Sequence, residues 1–245
     1  EIVFGDWSSD VCSSDLYEKM EADPRLEGQY PIPAESVTFS KMLKSAGYTT
    51  GCIGKWGLGA PVTDGVPNKQ GFDFFFGYHC QRQAHTYYPA HLWKNEEIVK
   101  LENPFVIPRT TELDVDKDPY KEESYARYNL KDYAPALMLD EALSFIRTSK
   151  DKPFFLHFTT IIPHVPLQAP KEWVDKYRAK IGDEEPYSGN RGYFPCRYPM
   201  ATYAAMVGYL DYQVGQLIDE LKKQDIYETT VIFFTSDNEI GRANV

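Results

Sequence analysis

Three short polar clusters carry the residue types from which a site for a tetrahedral anion could be built: Gly54-Lys55-Trp56, Pro163-His164 and Ser236-Asp237-Asn238. A lysine offers a point charge to an oxyanion, and a histidine can hold an oxygen or give it a proton. An aspartate beside an asparagine offers the oxygen ligands that a hard cation such as Ca²⁺ prefers. Taken singly, each cluster has an ordinary explanation: a solvated loop lysine, a Pro-His turn, a Ser-Asp-Asn cap. Their shared position is what joins them, because each follows a segment with the pattern of a strand. In sheets of alternating strands and helices, ligands gather at the carboxyl ends of the strands.

The elements that must position these clusters can be read from periodicity. "SVTFSKMLKSAGY" has Val37, Phe39, Met42, Leu43 and Ala46 at near-helical spacing, with Ser36 or Thr38 as cap and Gly47 as stop. "YTTGCIG" predicts the first strand. From Lys55 to about Lys131 the chain is rich in Gly, Pro, Tyr and charge and predicts long loops with short elements. "APALMLDEALSFIRTSK" predicts a helix. The near-continuous apolar run of "KPFFLHFTT" predicts a strand covered on both faces. "APKEWVDKYRAK" predicts a short helix. After a Pro-rich loop from Glu185 to Pro199, "MATYAAMVGYLDYQVGQLIDELKKQ" predicts a long amphipathic helix and "TTVIFFTSDN" a buried strand. The alternation predicts an α/β fold with a largely parallel sheet and helices on both faces.

Composition sets outer bounds. The chain has 245 residues, a formal net charge of −10 and 42% hydrophobic residues, enough to bury a core as one domain or a large part of one. The acidic balance argues against unaided binding to nucleic acid or to an anionic membrane, which would repel it. No run of about 18 apolar residues predicts a membrane span, and no signal-peptide pattern is present. The four cysteines, Cys12, Cys52, Cys80 and Cys196, form no CxxC pair and predict neither a zinc site nor a disulfide framework. "GCIGKWGLG" is not a phosphate-binding P-loop, since Thr49 stands at the first glycine position and Trp56 where Ser or Thr would hold Mg²⁺.

Five motifs in order, "LKSAGYTTGCIGKWGLG", "GFDFFFGY", "KPFFLHFTTIIPHVPLQAP", "YAAMVGYLDYQVGQLIDEL" and "VIFFTSDN", resemble the arylsulfatase branch of the sulfatases, within the alkaline phosphatase superfamily. The resemblance spans roughly residues 17 to 238 and implies an alkaline-phosphatase-like α/β domain that is incomplete here. It implies that sulfate esters, aryl or carbohydrate, are hydrolysed by a formylglycine nucleophile with Ca²⁺. Lys55 and His164 would then contact the sulfate, with His164 also serving the leaving group, and Asp237 and Asn238 would bind Ca²⁺. "NKQGFDFFFGYHCQRQAHTYYPAHLW" is similar to a long loop that shapes the substrate pocket in one set of bacterial sulfatases, which makes His85 a substrate-binding candidate. The plainer reading of His85 is a loop histidine packed among Tyr87 and Tyr88. Many relatives have histidine where this chain has Gly57, so the role of that histidine has no holder here. The resemblance also implies a periplasmic or secreted protein. A phosphodiester or phosphonate hydrolase of the same superfamily is the alternative reading, and a non-catalytic binder of sulfated glycans is the alternative of another class.

The formylglycine of this family arises from the cysteine of a CxPSR motif. "CSSDL" begins with Cys12 and Ser13 but has Ser14, Asp15 and Leu16 where Pro, Ser and Arg belong. Cys12 is therefore not expected to be converted. "DWSSDVCSSDL" resembles a translated sequencing adapter, and "EIGRANV" at the other end resembles the same adapter in reverse orientation. Residues 1–16 and 239–245 are accordingly expected to be foreign to the fold. Residues 17–238 are expected to form part of a catalytic domain, inactive by itself because its nucleophile is missing.

Overall fold

The structure is a computed structural model, and it describes residues 30–108, 112–190 and 192–236. Helix α1 (Phe39–Ser45) opens at Thr38, whose hydroxyl accepts a bond from the Lys41 amide at 3.3 Å, and ends before Gly47, at φ 89°. Its helical spacing is as expected, but its apolar side is not packed. Val37, Phe39 and Met42 are exposed, and only Ser40 is buried. The helix docks through hydroxyls: Ser40 donates to the carbonyl of Gln70 at 2.5 Å, and Thr38 to the same oxygen at 3.1 Å.

Strand β1 (Thr49–Lys55) follows and lies between β2 (Phe74–Tyr78) and β5 (Phe154–Thr159), parallel to both. The long stretch after Lys55 holds short strands, as expected. Besides β2 it supplies β3 (His91–Lys94) and β4 (Glu97–Lys100), which extend the sheet in the order β4-β3-β2-β1-β5. The sheet is mixed: β3 runs antiparallel to β2, and β4 antiparallel to β3. The two-residue turn Asn95-Glu96 explains the second pairing, because so short a connection can only fold the chain back on itself. Asn95, at φ 55°, is a residue that tolerates the required backbone.

Helix α2 (Ala134–Ser149) starts with Pro135 in its first turn, where the missing amide costs nothing. It lays Met138, Leu139, Ala142, Phe145 and Ile146 onto one face of the sheet, with the three-and-four spacing of an amphipathic helix. Gly51 of β1 makes the close approach possible, since a Cβ there would stand 2.7 Å from the Phe145 ring. Helix α3 (Lys171–Ile181) packs on α4 (Pro199–Lys223) through Trp173, whose ring lies 5.2 Å from Tyr209 and 5.5 Å from Tyr212. Gln213 of α4 is fully buried with both ends of its amide used: it donates to the Pro135 carbonyl at 2.8 Å and accepts from Thr160 at 3.1 Å. That one side chain ties α4 to the start of α2 and to the exit of β5. The opposite face of the sheet is covered by a smaller cluster of Cys52, Phe72, Phe75 and Trp93.

Two expectations about strands differ from the structure. β5 is a strand, but it is half-buried with His157 exposed, because among the described residues it pairs only with β1. Residues 230–236 form no strand among the described residues, and Val231 and Phe233 are 76% and 89% exposed. Their continuous apolar run suits a buried strand, but a strand needs a neighbouring edge to bond to, and none of the described strands pairs with this segment.

Candidate functional site

The carboxyl ends of the parallel strands β1, β2 and β5 share one rim. Hydrogen bonding of β1 to β2 continues past the strand ends, where the amides of Trp56 and Gly57 donate to the carbonyls of Tyr78 and His79 at 2.9 and 3.0 Å. The backbones are unusually close at this point. A Cβ on Gly54, at φ 129°, would fall 1.9 Å from the Thr159 carbonyl oxygen, so only glycine fits directly before Lys55. Lys55 thus ends β1, the middle of the three parallel strands, in register with Tyr78 of β2, one position past the pairing of Gly54 with Thr159 of β5.

His85 and His164 reach the rim from different loops. His85 closes a single 3₁₀ turn, Gln83–His85, after β2, and His164 lies in the turn after β5. Their ring centroids are 5.0 Å apart, at 61° to each other. Tyr87 fixes this approach. It is fully buried, and its hydroxyl lies 2.8 Å from the Ile161 carbonyl and 2.6 Å from the His164 carbonyl, so the loop that carries His85 is bonded to the turn that carries His164. The Tyr87 amide donates to the Gln168 side chain at 2.9 Å and fastens the same loop a second time.

Both imidazoles are held by the same logic. Nδ1 of His85 lies 3.1 Å from the Arg82 carbonyl, and Nδ1 of His164 lies 2.5 Å from the Val165 carbonyl. A carbonyl only accepts, so each Nδ1 carries a hydrogen and Nε2 becomes the atom that gains or loses a proton. His85 is only 9% exposed, and the rings it meets are those of His164 and Tyr193. Gly57 has φ 85°, a backbone that other residues rarely adopt, and its absent side chain would point at Gln81, 3.5 Å from that Cβ.

Nothing among the described thiols is suited to attack. Burial pushes the thiol of Cys52 up to about 12 and that of Cys196 up to about 11, and Cys80 is buried as well. Cys12 lies outside the described residues, as do the candidate metal ligands Asp237 and Asn238. Among the described residues no group of three or more His, Cys, Asp or Glu side chains could hold a metal ion, so they offer no match to a Ca²⁺ site. No helix among the described residues is long and apolar enough to cross a membrane.

Of the sequence candidates, then, the structure brings His85 and His164 together and sets Lys55 on the same rim. Two aromatic residues of the site were not singled out by sequence reasoning. Tyr87, taken only as a packing neighbour, proves to be the anchor of the rim. Tyr193 joins the histidine pair from a loop with no periodic pattern to announce it.

Comparison with known proteins gives a consistent result. The sulfatase family model matches residues 10–244. Human arylsulfatase H is 27% identical, over 87% of this chain and 42% of its own length. The crystal structure of Ps i-CgsB superposes with a TM-score of 0.56 at 24% identity, over 82% of this chain and 39% of that one. BT4656, solved in complex with its substrate D-glucosamine-2-N,6-O-disulfate, gives a TM-score of 0.55 at 17% identity, over 82% of this chain and 49% of that one. The chain therefore spans less than half the length of these relatives.

Proposed function

Because the chain belongs to the sulfatase family, we propose that it is the part of a sulfuric ester hydrolase that grips the sulfate group, acting on an aryl or carbohydrate sulfate outside the cytoplasm. The observation that carries this reading is the meeting of His85 and His164, 5.0 Å apart, at the strand ends where Lys55 also emerges. The Lys55 ammonium offsets charge on the sulfate oxygens. Nε2 of His164 binds the oxygen that joins sulfur to the alcohol and, when protonated, gives that oxygen its proton as the S–O bond breaks. His85 holds a second oxygen of the same group.

Asp237 and Asn238 are proposed as Ca²⁺ ligands on the chemistry of their oxygens alone, and the ion would polarise the sulfuryl group. The attacking group is a formylglycine by family and is not assigned to any residue of this chain. The 245-residue chain is accordingly expected to release no phenol from an aryl sulfate, since "CSSDL" lacks three of the positions of the motif.

The test is kinetic. In an enzyme that contains this chain together with a formylglycine motif, Lys55→Ala should lower turnover of 4-nitrophenyl sulfate by about 100-fold or more, since a preorganised charge on the transferring group is worth roughly 3 to 4 kcal/mol. Unchanged turnover would remove Lys55 from the site. Faster hydrolysis of a phosphodiester than of the sulfate ester would favour the phosphodiesterase reading instead.

A further inference from the structure

The Tyr193 ring completes a cluster with the histidine pair: its centroid lies 6.0 Å from that of His85 and 6.4 Å from that of His164. It does not belong to the loops that follow the strands. It comes from the irregular segment between α3 and α4, whose described residues are bonded at several points. Tyr187 and Cys196 exchange two backbone hydrogen bonds of 2.9 Å. Next to Tyr193, Phe194 is 1% exposed and stacks on Tyr128 at 5.1 Å. Arg197, 7% exposed, donates to the Tyr120 carbonyl, the Glu184 carbonyl and the Asp183 carboxylate. With Phe194 turned into the core, Tyr193 is turned toward the histidines and stays half-buried.

We propose that Tyr193 is a specificity-determining residue: its ring lies against the organic half of the substrate and favours esters whose alcohol carries a ring, aromatic or pyranose. This rests on the reading of Lys55, His85 and His164 as the sulfate grip. The physical reason is charge. The face of a phenol ring is negative and repels an anion, and only its hydroxyl could donate to one, so the ring face itself suits the uncharged part of the ligand. Flat apolar rings and the C–H faces of sugars are what such a face accepts. Because the loop is pinned on both sides of Tyr193, the ring is in place before the ligand arrives.

The 245-residue chain allows the test without turnover. The ring signals of its histidines are followed by NMR while inorganic sulfate or 4-nitrophenyl sulfate is added, in the wild type, Tyr193→Ala and Tyr193→Phe. Cooperative unfolding of each variant is checked first. Tyr193→Ala should weaken 4-nitrophenyl sulfate by about fivefold, equivalent to about 1 kcal/mol, and leave inorganic sulfate within about twofold. Tyr193→Phe should keep the wild-type preference. Equal weakening of both ligands would mean a merely structural role and overturn the proposal, as would an unchanged preference in Tyr193→Ala. Loss of the preference in Tyr193→Phe would overturn the ring-face assignment. If inorganic sulfate leaves the wild-type His85 and His164 signals unmoved, the sulfate grip itself is wrong and the proposal falls with it.

Discussion

Two histidines leave strand β2 within six residues of one another and end in opposite surroundings. His79 is fully buried between Phe75 and Trp93, at centroid distances of 4.8 and 4.9 Å. Its Nε2 donates to the Asn95 carbonyl at 3.2 Å, its Nδ1 has no partner, and burial lowers its pKa to about 4. It is neutral, enclosed by rings and cut off from any ligand. His85, on the next turn of chain, faces a second imidazole and a phenol at the rim. The same residue type is thus a core aromatic in one place and a candidate sulfate ligand in the other. What separates them is whether the backbone carries the ring beneath the β2–β3 edge or out past the strand ends.

The largest effect expected from this contrast is a pH dependence of stability that belongs to His79. Its pKa falls from 6.5 to about 4 on folding, so the unfolded chain takes up the proton first. Stability is full above the unfolded value and is lost as pH falls through it toward 4. By about pH 5 the loss from this group should be on the order of 2 kcal/mol. Urea unfolding of the wild type and His79→Phe at about pH 7.5 and about pH 5 measures it. The variant should lose less stability than the wild type, and equal losses would place the acid sensitivity elsewhere.

A similar or smaller effect is expected where the rim is fastened. Tyr87→Phe removes the hydroxyl that serves the carbonyls of Ile161 and His164; the Ile161 carbonyl keeps the His164 amide as a donor, so the loss should be about 1 to 2 kcal/mol. Unlike a defect at His79, this one should also weaken sulfate binding, because the turn that carries His164 is released. A variant as stable as the wild type, with unchanged sulfate binding, would show that the rim does not depend on Tyr87.

The smallest effect is expected at residues 231–234, which contrast with both histidine environments by exposing apolar side chains to water. Phe233→Ser should change stability by no more than about 0.5 kcal/mol, the range for sites without packed partners. A larger loss in urea unfolding would show that this segment is packed in solution.

How much of this was legible in the sequence depended on whether a pattern was local. β1, α2 and α4 could be read from runs and periodicity. Lys55 and His164 could be placed at strand ends because a polar cluster directly follows an apolar run. The β3–β4 hairpin was not specified, although Asn95-Glu96 between short apolar runs is a turn signal, because four-residue strands carry too few alternations. The exposure of α1's apolar side was not legible because helical spacing states which residues share a side but not whether anything covers it. Residues 230–236 show the same limit for strands: an apolar run gives the propensity and says nothing of the edge that must accept it. Tyr193 was out of reach because its meeting with His85 and His164 depends on how Phe194 and Arg197 pin an aperiodic loop. The nitrogen choice at each imidazole likewise depends on carbonyls that only the folded backbone supplies.

The central claim is that Lys55, His85 and His164 form one oxyanion site while His79 stands apart from it. The most direct test is a titration of the 245-residue chain with inorganic sulfate, followed through the ring signals of its five histidines. The account predicts saturable shifts at His85 and His164, none at His79, and about tenfold weaker binding in Lys55→Ala, the loss of one charge-assisted contact. Shifts of equal size at all five rings, or an affinity untouched by Lys55→Ala, would contradict it.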